Sequence, residues 1–272
     1  MKFFVPVCFA VISIMDCSCR AQEDASPMPN PLSLAPEVVL DSSAPPVPWK
    51  GETLEYEISW GFIKVGTSDM SAKQTVMVSS RPCYHIVSTA KSGSVIDTFY
   101  KVRDLNESWM DAFSFISMGY SKNIREGGYR RREWVVFDQE NRVFRAESVG
   151  KSGTPSFKEG PLPGPVHDML SSLYFVRSRP LEVGRDIIMD VNSTKNWPLV
   201  VKVIKKEKVK TPAGKFECFL LEPKLREEGI FVAKGKRLRV WLTADEDMIP
   251  VQMKAEVFIG HVSAELVRRT VE

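Results

Sequence analysis

Alternation of apolar and polar side chains dominates the chain after residue 48. The segment 54–60, LEYEISW, places apolar residues at every second position. This period of two is typical of a strand with one buried and one exposed face. Similar segments recur as far as residue 271, separated by short turn-like sequences such as 127–128, 138–141 and 212–214, which are typical of hairpins. The pattern therefore predicts about a dozen strands, most of them joined to their neighbours by short turns.

One segment follows a different period. In 166–184, VHDMLSSLYFVRSRPLEVG, apolar residues recur at spacings of three and four, which on a helix form one wide apolar face. Asp168 stands where a carboxylate can accept from the free N–H groups of a first turn. Pro180 ends the helix because proline has no N–H to donate. The sequence predicts one main helix at about 167–178 that covers an apolar surface.

Together these elements predict a mainly β fold: an antiparallel β sandwich or an open barrel-like shell, closed by the one main helix. A parallel α/β sheet is excluded because the crossover helices that it needs are missing. Strands with apolar side chains inside and charged ones outside can enclose an apolar ligand. The same pattern also fits a shell whose interior is packed solid.

The N-terminus predicts export. Lys2 is followed by thirteen uncharged residues, FFVPVCFAVISIM, a run too short for a membrane span and of the right length for a signal peptide. Cleavage after Ala21 gives a signal peptide of residues 1–21. The alternative is a lipoprotein signal in which Cys17 or Cys19 is acylated. An uncleaved anchor is a third alternative. The two cleaved forms predict a periplasmic or outer-membrane-associated protein of the cell envelope.

Composition divides the remainder into two parts. Residues 22–48 contain seven of the 18 prolines of the protein, and such a segment predicts an extended, disordered tether. Residues 49–272 then form a single β-rich domain. The chain has 37 basic and 34 acidic residues, a net charge of +3. That balance predicts no nucleic-acid partner, and it leaves the N-terminal lipid anchor as the predicted contact with a membrane.

Basic side chains next to an indole form the candidate ligand-binding cluster. Arg130, Arg132 and Trp134 are two residues apart, so they share one face of a strand. Guanidinium groups on that face could bind a phosphate or carboxylate head group. The alternative is that these arginines pair with acidic neighbours and protect a strand from aggregation.

The cysteines leave two alternatives open. After removal of residues 1–21, Cys83 and Cys218 remain, an even number in an oxidising compartment. They could form a disulfide, or they could be two small buried hydrophobic side chains.

Signatures of metal binding and catalysis are missing. His85, His167 and His261 are 82 and 94 residues apart, and only Cys83 and His85 stand at a ligand-like spacing. The sequence contains no G-x-S-x-G, H-E-x-x-H or phosphate-binding glycine loop. We therefore predict no metal, no cofactor and no catalytic residue.

Four stretches, taken in order, resemble a known family. They are GETLEYEISWGFIKVG, HDMLSSLYFVRSRPLEVG, KTPAGKFECFLLEP and KGKRLRVWLTADEDMIPVQMKAEVFIGHVSAEL. At this spacing, over about Trp49 to Arg268, the chain resembles the bacterial exported family Domain of Unknown Function 3108. The resemblance implies an envelope protein of mostly β fold and no established activity.

These observations lead to one preferred function and two alternatives. The preferred function is a non-enzymatic envelope protein that binds a lipid or another hydrophobic or amphipathic ligand inside the shell. The first alternative is a structural or assembly module that contacts other envelope proteins. The second is an enzyme that acts on glycans or cell wall, which requires a polar cleft with convergent carboxylates.

Overall fold

The computed structural model describes residues 44–225, 237–257 and 259–272. The predicted signal peptide with Cys17 and Cys19, and most of the predicted tether, lie outside the described residues. The described part of the chain contains two helices, α1 (Ser94–Asp97) and α2 (Met169–Arg177). It also contains fifteen strands: β1 (Glu52–Trp60), β2 (Ile63–Val78), β3 (Arg81–Ser92), β4 (Arg103–Asp111), β5 (Ser117–Glu126), β6 (Tyr129–Asp138), β7 (Val143–Val149), β8 (Pro155–Pro161), β9 (Val166–His167), β10 (Ile187–Asn192), β11 (Asn196–Thr211), β12 (Gly214–Leu225), β13 (Leu238–Thr243), β14 (Pro250–Glu256) and β15 (His261–Val271).

All fifteen strands belong to one sheet made of two meanders. Strands β1 to β8 follow each other in chain order on one side, β15 back to β9 follow on the other, and β1 pairs with β15. Every pair is antiparallel except β9 with β10. The mainly β prediction is therefore confirmed: the strands form one continuous, open sheet with a barrel-like form.

The two outer edges of the sheet approach each other without forming a ladder. The side chain of Gln139, in the turn after β6, bonds to both the N–H and the carbonyl of Val166 in β9. Asn196, the first residue of β11, donates to the carbonyl of Pro161 at the end of β8, at 2.8 Å. These side-chain contacts join the two outer parts of the sheet, which has a barrel-like form.

Alternation of apolar and polar residues does not predict strands β8 and β9. Pro155 and Pro161 bound β8, and a proline-flanked segment reads as irregular because proline cannot donate to a ladder. The strand lies at an edge of the sheet, pairing only with β7, which is where proline is tolerated. Strand β9 has two residues and is too short to show any periodicity.

The main hydrophobic core lies between α2 and the strands around β1 and β15. In β1 the side chains of Leu54, Tyr56 and Ile58 are buried, as the alternation predicts. The ring of Trp49 packs edge-on against Tyr84 and Tyr174, with centroids 4.7 and 4.9 Å away. Trp49 therefore links the start of the domain to both β3 and α2.

Candidate functional site

Helix α2 is held in place first at its N-terminus. Asp168 is the N-cap: its carboxylate accepts from the N–H groups of Leu170 and Ser171, and the Ser171 hydroxyl accepts from the N–H of Asp168. The second oxygen of the same carboxylate accepts from the hydroxyls of Ser108 and Ser117, both at 2.6 Å. The prediction that Asp168 caps the helix is confirmed. These bonds fasten the start of α2 to β4 and β5.

The C-terminal end of α2 is held by Arg177, whose side chain is fully buried. Its guanidinium donates to the backbone carbonyls of Asp247 and Met248 in the turn between β13 and β14. It also forms an ion pair with Glu52 at the start of β1. The helix is thus fixed at both ends, which sets the position of its apolar face.

An apolar groove lies between that face and the inner side of the sheet. It encloses about 90 Å³ and is lined by Met70, Met169, Leu170, Ser172, Leu173, Val176, Leu199, Val201, Leu221, Pro223, Leu238, Val240 and Met253. Ser172 is the one hydroxyl in this lining, and it already donates to the carbonyl of Met169 at 2.8 Å. The lining therefore offers no titratable group and no free donor to an occupant.

The composition of the lining allows the groove to change shape. Met70, Met169 and Met253 all face it, and an unbranched thioether side chain adapts to irregular apolar shapes. For comparison, an apolar cavity of about 150 Å³ in another protein stays dry and takes up benzene. The groove as it stands is small, and its methionines are the side chains that could widen it.

A small polar cavity adjoins the groove at the start of α2. Met169 and Leu170 line both spaces, and the polar cavity of about 10 Å³ is otherwise lined by Asn106, Glu107, Tyr120, Ser121, Lys122, Asp168, Asn192 and Ser193. Among the described residues, the side-chain oxygens of Asn106 and Asn192 are buried without a hydrogen-bond partner. A volume of this size suits one water molecule. The interior thus changes from apolar to polar across the first turn of α2.

The predicted ligand-binding residues Arg130, Arg132 and Trp134 lie elsewhere, on the outer face of β6. Both arginines are exposed and Trp134 is partly exposed, while the alternate residues Glu133 and Val135 are buried. Arg130 donates to the carbonyls of Gly127 and Tyr129. The shared face is as predicted, but it is turned away from the groove. That these residues bind a ligand stays a prediction.

The disulfide alternative for the two cysteines is wrong. Cys83 in β3 and Cys218 in β12 are both free and buried, and they belong to different hydrophobic clusters. Burial raises the pKa of each thiol to about 12. The second alternative, two small buried hydrophobic side chains, describes them correctly.

The histidines occupy separate environments. His85 stacks on Trp109 and bonds to Glu107 at 3.0 Å, while His167 is buried against the ring of Phe175. Burial lowers the pKa of His167 to about 4, with a further contribution from Arg179. Within the described ranges no group of three or more His, Cys, Asp or Glu side chains could hold a metal ion. In the same ranges, neither helix has the length and the apolar run that a transmembrane segment requires.

The sequence alone does not predict the position or the lining of the groove. Its residues come from six separate elements and are apolar at strand or helix periodicity, which is also the pattern of a filled core. The one usable signal was the apolar face of the helix, which requires a surface to cover.

Comparison with known proteins identifies the family and the fold. The sequence matches the family described as "Protein of unknown function (DUF3108)" over residues 55–267. No curated protein matches the chain. Among solved structures, a beta-barrel-like protein of Domain of Unknown Function 1849 from Brucella abortus is similar, with 8% identity, a TM-score of 0.54, and coverage of 81% of this chain and 97% of that chain. This likeness shows the fold alone.

Two more distant similarities extend over comparable lengths. A presumed exported protein with a YmcC-like fold from Bacteroides fragilis is 9% identical, with a TM-score of 0.36 over 81% of this chain and 96% of that chain. A presumed lipoprotein from Parabacteroides distasonis is 9% identical, with a TM-score of 0.29 over 82% of this chain and 97% of that chain.

Proposed function

Because the chain belongs to the Domain of Unknown Function 3108 family, whose name assigns no activity, we propose its function from the geometry of the interior: it binds an amphipathic molecule that carries an acyl chain. The groove under α2 takes the chain, and the adjoining polar cavity takes the first polar atoms next to it. We place this activity in the cell envelope, after export directed by the N-terminal segment.

The observation that carries the proposal is the lining of the groove. All its side chains are apolar except Ser172, whose hydroxyl is engaged within the helix. An occupant that needs hydrogen bonds is disfavoured there, because burying an unpaired polar group costs about 1–3 kcal/mol. An alkyl chain needs none, and its transfer from water is favourable by about 0.8 kcal/mol per buried methylene.

The polar cavity supports an amphipathic occupant over a purely apolar one. The oxygens of Asn106 and Asn192 are acceptors in need of donors, and Lys122 lies in the same lining. A hydroxyl, amide or water-bridged head group at the end of the chain could satisfy them. Met169 and Leu170 line both spaces, so the polar cavity lies directly beside the groove.

The test is binding by the full-length protein purified from its source envelope. Native mass spectrometry followed by lipid extraction shows whether an acyl-bearing molecule co-purifies, and titration with a fluorescent long-chain fatty acid measures affinity. The groove variant is Val201→Trp, which fills the space with an indole. The matched control is Ile188→Trp, which adds the same ring to a side chain of β10 that is 56% exposed.

We expect the groove variant to lose at least about tenfold in fatty-acid affinity, the effect of roughly 1.4 kcal/mol, and the control to bind like the native chain. Both variants are first compared by circular dichroism and melting temperature. If the folded groove variant binds as tightly as the native protein, the groove is not the site. If no acyl-bearing molecule co-purifies with the native protein and it binds no fatty acid, the assembly module is favoured. Crosslinking would then identify its protein partners.

A further inference from the structure

Five large apolar side chains project into solvent at one end of the sheet. They are Phe62, Ile63, Val95, Phe99 and Ile259, each at least 63% exposed, and Phe62 is fully so. We call this set the apolar rim. Single exposed apolar residues are common on protein surfaces, whereas several at one end mark an interaction site.

Hydrogen bonds bring the loops that carry the rim together. Phe62 lies in the turn between β1 and β2, where Gly61 donates to the carbonyl of His261 and the indole of Trp60 donates to that of Ile259, at 2.9 and 2.8 Å. Ile259 therefore lies beside the β1–β2 turn.

The other two rim residues follow β3. Gly93 donates to the carbonyl of Val65 at 2.9 Å, so α1, which begins one residue later and contains Val95, starts beside the first residues of β2. Phe99 lies two residues after α1, and its N–H donates to the carbonyl of Ile96. Three connections of the shell thus present their apolar side chains at the same end.

Basic side chains stand at the same end. Lys91 is the next-to-last residue of β3, and Lys101 lies two residues before β4. Arg125 and Arg130 lie on either side of the β5–β6 turn, and all four side chains are exposed. Gly127 in that turn donates to the carbonyl of Lys101 at 2.8 Å, which joins the two basic pairs.

Among the residues that the structure describes, most acidic side chains near the rim are neutralised. Asp97 pairs with Arg103, Glu57 with Lys64, and Glu256 with Arg237. The carboxylate of Glu126 accepts a hydrogen bond from the hydroxyl of Tyr100 and lies next to Asp104. Exposed positive charge therefore lies beside the apolar rim, on the side of β3 to β6.

The lining of the groove extends from α2 toward this end. Leu238 is the first residue of β13, and Pro223 is the third residue from the end of β12. The opposite end of the interior is closed where Arg177 fastens α2 to the β13–β14 turn. The rim is thus at the end of the shell that α2 does not close.

We propose that the apolar rim docks the shell onto the surface of an anionic phospholipid bilayer. Phenylalanine and isoleucine side chains insert at the boundary between head groups and acyl chains, and the surrounding lysines and arginines pair with phosphates. This contact goes beyond ligand binding in the groove and does not require it. It also adds a second membrane contact to any N-terminal lipid anchor.

Vesicle flotation of the full-length chain tests the proposal, with vesicles of phosphatidylcholine alone and of phosphatidylcholine with phosphatidylglycerol. The rim variant is Phe62→Ser with Phe99→Ser. The matched control is Phe113→Ser, which removes a phenylalanine that is 45% exposed at the opposite end, after β4. The charge variant is Lys101→Glu with Arg130→Glu.

We expect the rim variant to lose at least about tenfold in partitioning, because each phenylalanine transfers a large apolar surface out of water. The control should bind like the native chain. The charge variant should lose its preference for phosphatidylglycerol vesicles, and salt should weaken the native interaction. Equal partitioning of the rim variant and the native chain, as an N-terminal anchor alone would give, overturns the proposal.

A second measurement reports the contact directly and separates it from the groove. An environment-sensitive fluorophore on Phe62→Cys should shift to the blue with anionic vesicles, and the same probe on Phe113→Cys should not; the unsubstituted chain gives the background from native thiols. Val201→Trp, which fills the groove, should still bind vesicles. If the rim variants instead change only the oligomeric state, measured by analytical ultracentrifugation, the rim contacts another copy of the chain and docking on lipid is refuted.

Discussion

Arg177 at the end of α2 and Glu52 at the start of β1 form a bidentate ion pair with both side chains fully buried. The two N–O distances are 2.7 and 3.0 Å. A second arginine, Arg269 of β15, donates to the same carboxylate at 2.9 Å and also to Asp247. Arg177 and Glu52 are 125 positions apart in the chain. Their ion pair therefore joins α2 to the place where the two meanders meet, at β1 and β15.

Removal of one partner of this pair should strongly destabilise the fold. We expect Arg177→Met to lower the free energy of unfolding by about 3–5 kcal/mol, because it leaves a buried carboxylate with one arginine fewer. Urea denaturation followed by tryptophan fluorescence measures the change. Arg145→Gln is the control: its partner Glu159 is exposed, and loss of that pair should cost less than about 1 kcal/mol. Similar effects of the two substitutions would contradict this role for Glu52 and Arg177.

The carboxylate of Asp168 should stabilise the fold in two ways, as the cap of α2 and as the acceptor for two buried hydroxyls. Asp168→Ala removes the helix cap and leaves the hydroxyls of Ser108 and Ser117 without their acceptor. We expect a loss of about 3 kcal/mol in the free energy of unfolding, the sum of a cap and of buried polar groups without partners. Asp168→Asn keeps an oxygen acceptor and should lose less. If chemical denaturation gave the same loss for both variants, hydrogen bonds accepted by this side chain would not contribute to the free energy of unfolding.

The Glu126 carboxyl should make stability fall as pH rises toward neutrality. Burial raises its pKa from 4.5 to about 7, and the neighbouring Asp104 adds to the shift. Between these two values the folded state holds more protons than the unfolded state, so the free energy of unfolding decreases with pH through this window. Below pH 4.5 the contribution is fully present, and above pH 7 it is lost.

Glu126→Gln should reduce that decrease, since an amide does not titrate. The measurement is the free energy of unfolding of both proteins between pH 5 and pH 8, and the informative quantity is the difference between them at each pH. A difference that stays constant across the window would show that the folded-state pKa of Glu126 is not raised.

Cys83 and Cys218 should be unreactive in the folded protein. Both are free and buried, and burial raises the pKa of each thiol to about 12, so neither forms the reactive thiolate near neutral pH. We expect a pulse of thiol reagent to label both peptides only after denaturation, as read by peptide mass spectrometry. A peptide that links Cys83 to Cys218 in the purified protein would contradict the structure.

Local patterns in the sequence were sufficient for the fold class and for α2. Alternation along a strand and the three-to-four spacing of the helix arise from backbone geometry within a few residues, so β1 and the face of α2 follow from the sequence. The cap at Asp168 follows likewise, because its backbone partners are two and three residues away.

Contacts between distant residues were decided only by the tertiary structure. The sheet order brings β1 beside β15 and so places Arg269 and Arg177 on one carboxylate, and no local pattern marks Glu52 as buried. The groove, the free state of Cys83 and Cys218, and the apolar rim depend in the same way on which strands are neighbours. A strand sequence specifies which residues share a face, while pairing across more than a hundred residues depends on the free energy of the whole assembled sheet.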